Sequence, residues 1–264
     1  MNIGFIGGGN MAEALIKGMT SQGMKDIIVS EPKQARRQYL NETYGTAVTG
    51  SNRDVINTSE IIILAVKPQN MKEVITDIGP AVTEDKTVVS IAAGIKLDYL
   101  TAKLNTKRIV RVMPNTPALV QEGMSVMSLC ECFSDNAISV VREILMSIGK
   151  IITLPEKYMD AVTAVSGSGP AFIAFFVEAM IDSAVKLGLG NDDAHTLAVQ
   201  TVIGTAKLLD TGMSPSKLRE MVTSPGGTTA AGLDAFLDKG LFDIVLTSMT
   251  AARDRSDELG RNSD

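Results

Sequence analysis

Residues 4–18 read GFIGGGNMAEALIKG, in which an apolar strand pattern passes through a glycine-rich turn into a helical pattern. The spacing Gly7-x-Gly9-x-x-Ala12 is typical of turns that hold the phosphates of a dinucleotide. Gly7 allows the tight turn, Gly9 lets a pyrophosphate approach the backbone, and Ala12 lets the helix pack closely on the strand. The alternative is a tight turn without a ligand. Because N–H groups at a helix start bind phosphate, we predict a coenzyme site that includes Ile6, Gly7, Gly8, Gly9, Asn10 and Met11.

The first part of the chain, residues 1–155, alternates short apolar runs with amphipathic segments. The unbroken apolar run at 60–66 is typical of a strand buried in a parallel sheet. Strand–helix alternation at this spacing indicates βαβ units and an α/β domain with a Rossmann-type parallel sheet. The predicted strands are 2–7, 26–30, 60–66, 87–92, 108–113, 123–129 and 150–154, and the predicted helices are 11–19, 32–40 and 135–148.

The second part, residues 156–264, has helical spacing and predicts an all-helical domain. Turn-forming segments such as SGSGP (166–170) and SPGG (224–227) are expected to separate the helices. The predicted helices are 158–165, 171–187, 192–209, 215–222, 230–237 and 240–259.

One of these helices is apolar on nearly every side. Residues 171–185 read AFIAFFVEAMIDSAV, and such a helix is buried on most of its surface. A bundle of about 100 residues has few ways to cover it, so we expect the helical domain to form a homodimer. The alternative is a helix covered by the N-terminal domain. Glu178 and Asp182 within it are expected to be paired with other groups.

Composition disfavours several functional classes. The net charge is −5 with both signs dispersed, and the densest basic group, between Lys103 and Arg111, is too sparse for a nucleic-acid interface. The chain has no run of 18 apolar residues and no signal-peptide pattern after Met1, so we expect a cytoplasmic protein that does not bind membranes.

Residues for metal binding or strong base catalysis are scarce. Cys130-x-Cys132 lacks a nearby histidine and is a poor zinc set, so we expect buried thiols and no metal. His195 is the only histidine and is expected at the surface. No Ser–His–Asp or Cys–His set is available. Reduction of a C=N bond suits such a chain better than oxidation of an alcohol, which needs a base for the hydroxyl proton.

The residues after the second strand bear on coenzyme choice. Ser30 ends that strand, and Lys33, Arg36 and Arg37 follow, a combination that suits a 2′-phosphate and favours NADP(H). Glu31 at the strand end would instead favour NAD(H). The three cations could also form a solvated helix face.

Three further segments follow strands whose carboxyl ends would border the ligand crevice. They are AVKPQ (65–69), SIAAG (90–94) and VMPNTP (112–117). Small residues in the second segment permit contact with a flat ring, and Asn115 in the third could hold a nicotinamide or substrate group. Ordinary loops are the alternative. The predicted coenzyme residues here are Ala65, Val66, Lys67, Pro68, Ala92, Ala93, Gly94 and Asn115.

Two Gly/Ser/Thr-rich segments in the helical part, SGSGP (166–170) and SPGGTT (224–229), each precede a predicted helix. N–H groups at a helix start, together with the helix dipole, hold a carboxylate or phosphate without a cation. The alternative is simple N-capping by Ser168 and by Thr228 or Thr229. Two such segments beside a nicotinamide site favour substrate binding.

Five stretches in this order carry a family resemblance: GFIGGGNMAEALIKG, LAVKPQ, RVMPNTPALVQEG, AVSGSGPAFIAFFVEA and LREMVTSPGGTTAAGLDAF. From Met1 to about Leu259 the chain resembles the pyrroline-5-carboxylate reductases. The resemblance implies a Rossmann domain (1–155) and a helical substrate-binding and dimerisation domain (156–264), with dimers that gather into larger rings. It implies reduction of 1-pyrroline-5-carboxylate to L-proline by NAD(P)H, the final step of proline biosynthesis.

The resemblance also implies residue roles. Ser30, Asn52 and Lys67 would join the coenzyme site, with hydride passing to the imine carbon near 112–117 and 92–94. The hydroxyl of Thr229 would hydrogen-bond the ring nitrogen, and Ser168 would assist it. The substrate would be held by Ser166, Gly167, Ser224, Gly226, Gly227 and Thr228.

Two other functions are compatible with parts of the sequence. A 3-hydroxyacid dehydrogenase would share the two-domain plan but needs a lysine inside the first long helix of the second domain, where this chain has none before Lys186. A nucleotide-sensing regulatory or scaffold protein would keep the glycine turn but would not need Thr229.

Overall fold

A computed structural model describes residues 1–130 and 136–261 of the chain. By their contacts these residues form two compact units. The sheet unit comprises Met1–Ser168 with the end of the chain from Ala251 onward, and the helical unit comprises Gly169–Thr250. The domain boundary between residues 155 and 156 stays a prediction.

Within the described residues, eight strands form one sheet in the order β3-β2-β1-β4-β5-β6-β7-β8. The predicted Rossmann-type sheet is confirmed, since every neighbouring pair is parallel except β6 and β7. That antiparallel pair was not predicted. It arises because the connection of residues 114–122 is too short for a crossover helix. The strands are β1 (Ile3–Ile6), β2 (Ile27–Ser30), β3 (Ala47–Thr49), β4 (Ile61–Leu64), β5 (Thr87–Ser90), β6 (Ile109–Met113), β7 (Gly123–Leu129) and β8 (Gly149–Thr153).

Helices cover both faces of the sheet, and each face has its own apolar core. Phe5 and Val29 pack with α1, α2 and α6 on one face, and Ile62 and Val88 pack with α3, α4 and α5 on the other. The helices of this part of the chain are α1 (Asn10–Ser21), α2 (Gln34–Tyr44), α3 (Asn52–Thr58), α4 (Met71–Ile78), α5 (Leu97–Lys103), α6 (Asn136–Met146) and α7 (Met159–Val162). The predicted start of α6 at residue 135 lies outside the described residues.

The turn predicted at SGSGP is wrong. Residues Thr163–Gly167 form a π-helical turn that continues α7, and the Ser168 N–H donates to the Thr163 carbonyl at 2.8 Å. Because the Ser168 N–H is hydrogen-bonded within the helix, the segment forms a wider helical turn where the sequence predicted a break. Such π-bulges frequently occur at functional sites.

The helical unit has little core of its own. Its buried apolar residues in the described chain are Ala194 and Ala198, and α8 has no buried residue. Glu178 and Asp182 are exposed and form no ion pair among the described residues, so their expected pairing is wrong for a single chain. The helices that begin in this unit are α8 (Gly169–Lys186), α9 (Asn191–Asp210), α10 (Pro215–Met221), α11 (Thr228–Asp238) and α12 (Leu241–Arg261), the last of which continues into the sheet unit.

By length and composition alone, one helical stretch in the described part of the chain, Glu156–Lys186, is apolar enough to cross a membrane. Core helices of water-soluble proteins have the same composition, so this stretch is weak evidence for a membrane span.

Candidate coenzyme and substrate site

The glycine turn lies between β1 and β4, the strands at which the order of the sheet reverses. Gly7 has a φ of 97°, and a Cβ there would stand 2.6 Å from the carbonyl oxygen of Ala65. The Ala65 N–H donates to the carbonyl of Ile6 at 2.8 Å. Only glycine tolerates both the positive φ and the close carbonyl oxygen at position 7. Open α/β sheets bind ligands at this switch point.

The start of α1 is open. Gly9 is its N-cap, no side chain caps it, and a Cβ at Gly9 would meet nothing within 4 Å. The first amide bonded back to the cap is that of Glu13, so the N–H groups of Asn10, Met11 and Ala12 have no carbonyl partner inside the helix. Ala12 is fully buried against the sheet. This open cradle of amides fits the pyrophosphate of a dinucleotide.

At the end of β2 the structure brings Ser30 and Asn52 together. The Ser30 hydroxyl donates to Asn52 Oδ1 at 2.6 Å, and Asn52 Nδ2 donates to Asp77 Oδ2 at 3.0 Å. Asn52 is the first residue of α3. The two side chains implied for the coenzyme site by resemblance therefore form one hydrogen-bonded group.

The carboxylate of Glu31 is turned toward the glycine turn. Its Oε2 accepts from the N–H of Gly8 at 3.1 Å, and its Oε1 accepts from the N–H of Lys33 at 3.0 Å. Each oxygen of Glu31 therefore already has a backbone donor in the chain itself.

The two arginines of α2 do not form a solvated helix face. Arg36 Nε donates to the Gly8 carbonyl at 2.6 Å, and its guanidinium lies over the Tyr39 ring. Arg37 Nη1 donates to the carbonyl of Glu31 at 2.6 Å. Lys33 is exposed. The arginines thus brace the backbone around the glycine turn, and the solvated-face alternative is wrong for both.

Glu13, in the first turn of α1, collects three donors. The hydroxyls of Tyr39 and Tyr44 donate to its Oε1 at 2.8 Å each, and Arg36 Nη2 donates to its Oε2. Burial acts to raise the pKa of Glu13, but the hydrogen bonds from Arg36, Tyr39 and Tyr44 outweigh it and hold the pKa below its ordinary value. Burial, with the neighbouring Glu13 carboxylate, raises the pKa of Tyr44.

The segments after β4 and β6 lie at the strand ends, as predicted. Ala65 and Val66 are half-buried, and the exposed Lys67 precedes a short 3₁₀ turn that begins at Pro68. Asn115 Oδ1 accepts from the N–H of Met124 at 2.8 Å. This bond fixes the loop after β6 and leaves the side-chain amide nitrogen of Asn115 without a partner in residues 1–130 and 136–261.

In the segment after β5, Ala92 is buried and Gly94 has a φ of 78°. A Cβ at Gly94 would lie 3.2 Å from the backbone nitrogen of Gly260. The small size of Gly94 is therefore accounted for by packing inside the chain, whereas the sequence suggested room for a flat ring.

The π-helical turn places Ser166 and Gly167 near the end of β6, since a Cβ at Gly167 would stand 2.6 Å from Met113 Cε. The Ser166 hydroxyl is buried and has no hydrogen-bond partner among the described residues. Ser166 also lines an apolar hollow of about 470 Å³ with residues of β7, β8 and α7. Within the described chain, buried hydroxyls without a partner also occur at Ser59, Ser125 and Ser128, so the Ser166 hydroxyl is available to a ligand but does not by itself indicate one.

In the helical unit, α11 begins with amides that no side chain caps. Gly227 is its N-cap and no side chain caps it, so capping by Thr228 or Thr229 is not observed. Gly226 has a φ of 69°, and a Cβ at Gly227 would lie 2.4 Å from the Oγ of Ser224. Thr228 is exposed and Thr229 is half-buried. The geometry suits an anion such as a carboxylate.

Comparison with known proteins assigns the family. A pyrroline-5-carboxylate reductase of Pisum sativum is 41% identical over 97% of this chain and 95% of its own length. The chain belongs to the pyrroline-5-carboxylate reductase family. The reductase structure from Coxiella burnetii matches with a TM-score of 0.92 at 33% identity, over 98% of each chain. The Plasmodium falciparum reductase, solved with NADP bound, matches with a TM-score of 0.87 at 30% identity, over 98% of each chain.

Two family models match separate parts of this reductase-family chain. Residues 156–259 match the model described as pyrroline-5-carboxylate reductase dimerisation. Residues 2–94 match the model described as NADP oxidoreductase, coenzyme F420-dependent. The first match covers every helix from α7 to α11 and most of α12.

Sequence reasoning missed several supporting residues. Glu13, Tyr39 and Tyr44 brace the glycine turn, and the position of Glu13 in the first turn of α1 was the available signal. Gly260 was also missed, because its contact with Gly94 joins parts of the chain far apart in sequence. His195 is exposed on α9, as expected from the sequence. Cys130, just after β7, is half-buried, and Cys132 lies outside the described residues.

Proposed function

We propose that this chain reduces 1-pyrroline-5-carboxylate to L-proline with NADPH, the final step of proline biosynthesis. The observation that carries the proposal is the uncapped start of α11, which follows SPGG and is accompanied by Thr229. It occurs in a chain that matches named reductases over nearly its whole length. A positive helix end beside a hydroxyl suits a substrate that carries both a carboxylate and an imine nitrogen.

Bound NADPH would supply the hydride. The open amides at the start of α1 would hold its pyrophosphate. Ser30, Asn52 and the exposed Lys33 would hold the 2′-phosphate, while the Glu31 carboxylate accepts from the backbone N–H groups of Gly8 and Lys33. NAD(H) remains the second candidate coenzyme. The other proposed coenzyme residues are Ile6, Gly7, Gly8, Gly9, Asn10, Met11, Ala65, Val66, Lys67, Pro68, Ala92, Ala93, Gly94 and Asn115.

The substrate would be oriented by the helical unit. Backbone amides around Ser224, Gly226, Gly227 and Thr228 would hold its carboxylate, and the Thr229 hydroxyl would hydrogen-bond the ring nitrogen. A protonated imine is already electrophilic, so the chain needs to orient it and need not supply a strong base. Ser166, Gly167 and Ser168 would close the pocket, and the Ser166 hydroxyl is available for this role.

The proposed assembly is a homodimer formed through residues 156–259, the part that matches the dimerisation model. A ring of such dimers and a cytoplasmic location are further parts of the proposal. The proposed partner is the small-molecule imine, and we expect no binding to nucleic acid or membranes.

The test is to mix the purified protein with 1-pyrroline-5-carboxylate and either NADPH or NADH, and to follow the absorbance of the reduced nicotinamide. We expect rapid oxidation, faster with NADPH, and a loss of about 100-fold in kcat for Thr229→Ala. Thr76→Ala, which changes an exposed threonine on α4, is the matched control and should retain full activity. Coenzyme binding without oxidation would contradict the proposal and favour a nucleotide-sensing protein.

A further inference from the structure

The loop after β5 is packed against the last turns of α12. Gly94 in this loop and Gly260 in α12 meet backbone to backbone. A Cβ on Gly260 would stand 2.8 Å from the carbonyl oxygen of Gly94, and a Cβ on Gly94 would stand 3.2 Å from the backbone nitrogen of Gly260. Neither position has room for a side chain unless the loop or the helix moves.

Side chains of the helical turn before Gly260 reinforce this contact. Lys96 Nζ lies 3.6 Å from Asp257 Oδ1. The hydroxyl of Ser256, which is 4% exposed, donates to Asp160 Oδ1 at 2.8 Å. The last turns of α12 are therefore fixed both to the loop and to α7.

The far end of the loop is fixed by an ion pair whose arginine is buried. The N–H of Leu97, the first residue of α5, donates to Glu156 Oε1 at 2.8 Å. The same oxygen accepts from Arg111 Nη1 at 2.9 Å, and Arg111 in β6 is 3% exposed. The segment between Gly94 and Leu97 is thus held at both ends, which leaves the contact with α12 to set the position of Gly94.

We propose that Ser256, Asp257 and Gly260, the C-terminal clamp, position the loop of Ala92, Ala93 and Gly94 for coenzyme binding. The clamp residues act through the loop and are positioning residues. The inference rests on one part of the proposed function, namely that this loop contacts the nicotinamide coenzyme. The last turns of α12, which belong to the sheet unit, thereby set the affinity of a site in the same unit.

Gly260→Ala separates positioning from simple destabilisation. Alanine favours the helix over glycine, so α12 should persist, while the new methyl group pushes against the Gly94 carbonyl. We expect the dissociation constant for NADPH, measured by fluorescence titration of the purified protein, to rise about fivefold. The KM for the imine at saturating NADPH should change little, whereas the melting temperature should fall, because the methyl group overpacks a buried contact.

A matched pair of variants tests the polar part of the clamp. Asp257→Asn and Glu258→Gln remove the same charge from adjacent positions of α12. Asp257 faces Lys96, whereas Glu258 is exposed and pairs with Arg255. We expect a dissociation constant about twofold higher for Asp257→Asn and no change for Glu258→Gln.

An unchanged NADPH dissociation constant in a folded Gly260→Ala protein would overturn the inference. If Gly260→Ala does not fold, equal dissociation constants for Asp257→Asn and Glu258→Gln would overturn it. These titrations need no imine turnover. Tight NADPH binding without imine reduction would therefore overturn the proposed function alone, and a wild-type protein that binds neither NADPH nor NADH would overturn both.

Discussion

The sheet unit and the helical unit differ in how much of their apolar surface a single chain covers. The sheet unit buries a complete apolar core on each face of its sheet. In the described helical unit the buried apolar residues are Ala194 and Ala198, while Phe175 and Phe242 are 73% and 71% exposed. An apolar surface of this extent marks an interface. The sheet unit therefore has an apolar core within one chain, whereas the helical unit leaves most of its apolar surface for a second copy to cover.

This difference has a consequence for function. The coenzyme part of the site is braced by contacts within the sheet unit, such as those of Arg36 and Glu13. The proposed substrate part, at the start of α11, belongs to the unit that lacks its own core. We therefore expect coenzyme binding to survive dissociation of the dimer and imine reduction to be lost with it.

The largest expected effect is that of Phe175→Glu. A carboxylate at the centre of an apolar interface costs several kcal/mol on burial, so we expect monomers by light scattering, loss of imine reduction, and NADPH affinity within about twofold of wild type. Ala102→Glu, at an exposed position of α5, is the control. Retained dimers with full activity would show that α8 is not the interface.

A smaller effect is expected at two glycines of the sheet unit, Gly9 and Gly7, which should respond differently to replacement by alanine. Gly9→Ala fills open space where a pyrophosphate would lie, so we expect NADPH affinity to fall about tenfold or more while the free energy of unfolding changes by less than about 0.5 kcal/mol. Gly7→Ala adds a clash with Ala65 to a left-handed backbone and should destabilise the fold by about 2 kcal/mol or more. Denaturant titration and NADPH binding measure both quantities. Equal losses of stability in the two variants would contradict the assignment of Gly9 to coenzyme binding and of Gly7 to the conformation of the turn.

The smallest effect concerns Glu13. Its folded-state pKa lies below the ordinary value, so its ionised form stabilises the fold above the unfolded-state pKa, and this contribution is lost as the pH falls through the folded-state pKa. We expect Glu13→Gln to lower the free energy of unfolding by about 1 kcal/mol at neutral pH. The difference should vanish in acid.

Denaturant titrations across the acidic range measure this dependence. Glu42→Gln, which changes an exposed residue of α2, should show no such change with pH. A Glu13→Gln difference that persists unchanged in acid would exclude the carboxylate as its source.

Local patterns predicted most of the fold because they depend on neighbouring residues. The apolar run at 60–66 contains β4, and GMSVMSL coincides with β7. The antiparallel β6–β7 pair was missed because the direction of a strand depends on its connection. The short edge strand β3 was also missed, since three residues carry little periodic signal.

In the site, too, the features that depend on neighbouring residues were the predictable ones. The glycine turn was predictable because its conformation is set by residues that are adjacent in sequence. The turn expected at SGSGP was wrong because a π-helical bond from Ser168 to Thr163 keeps the backbone helical. The contact between Gly94 and Gly260 could not be predicted, since it joins distant parts of the chain through packing alone.

The most direct test compares two imines with the wild-type protein and NADPH: 1-pyrroline-5-carboxylate and 1-pyrroline, which lacks the carboxylate. If the amides at the start of α11 hold the substrate carboxylate, kcat/KM should be about 100-fold higher for the first compound, because the second leaves those donors unpaired. Equal kcat/KM values for the two imines would contradict an anion site in the helical unit.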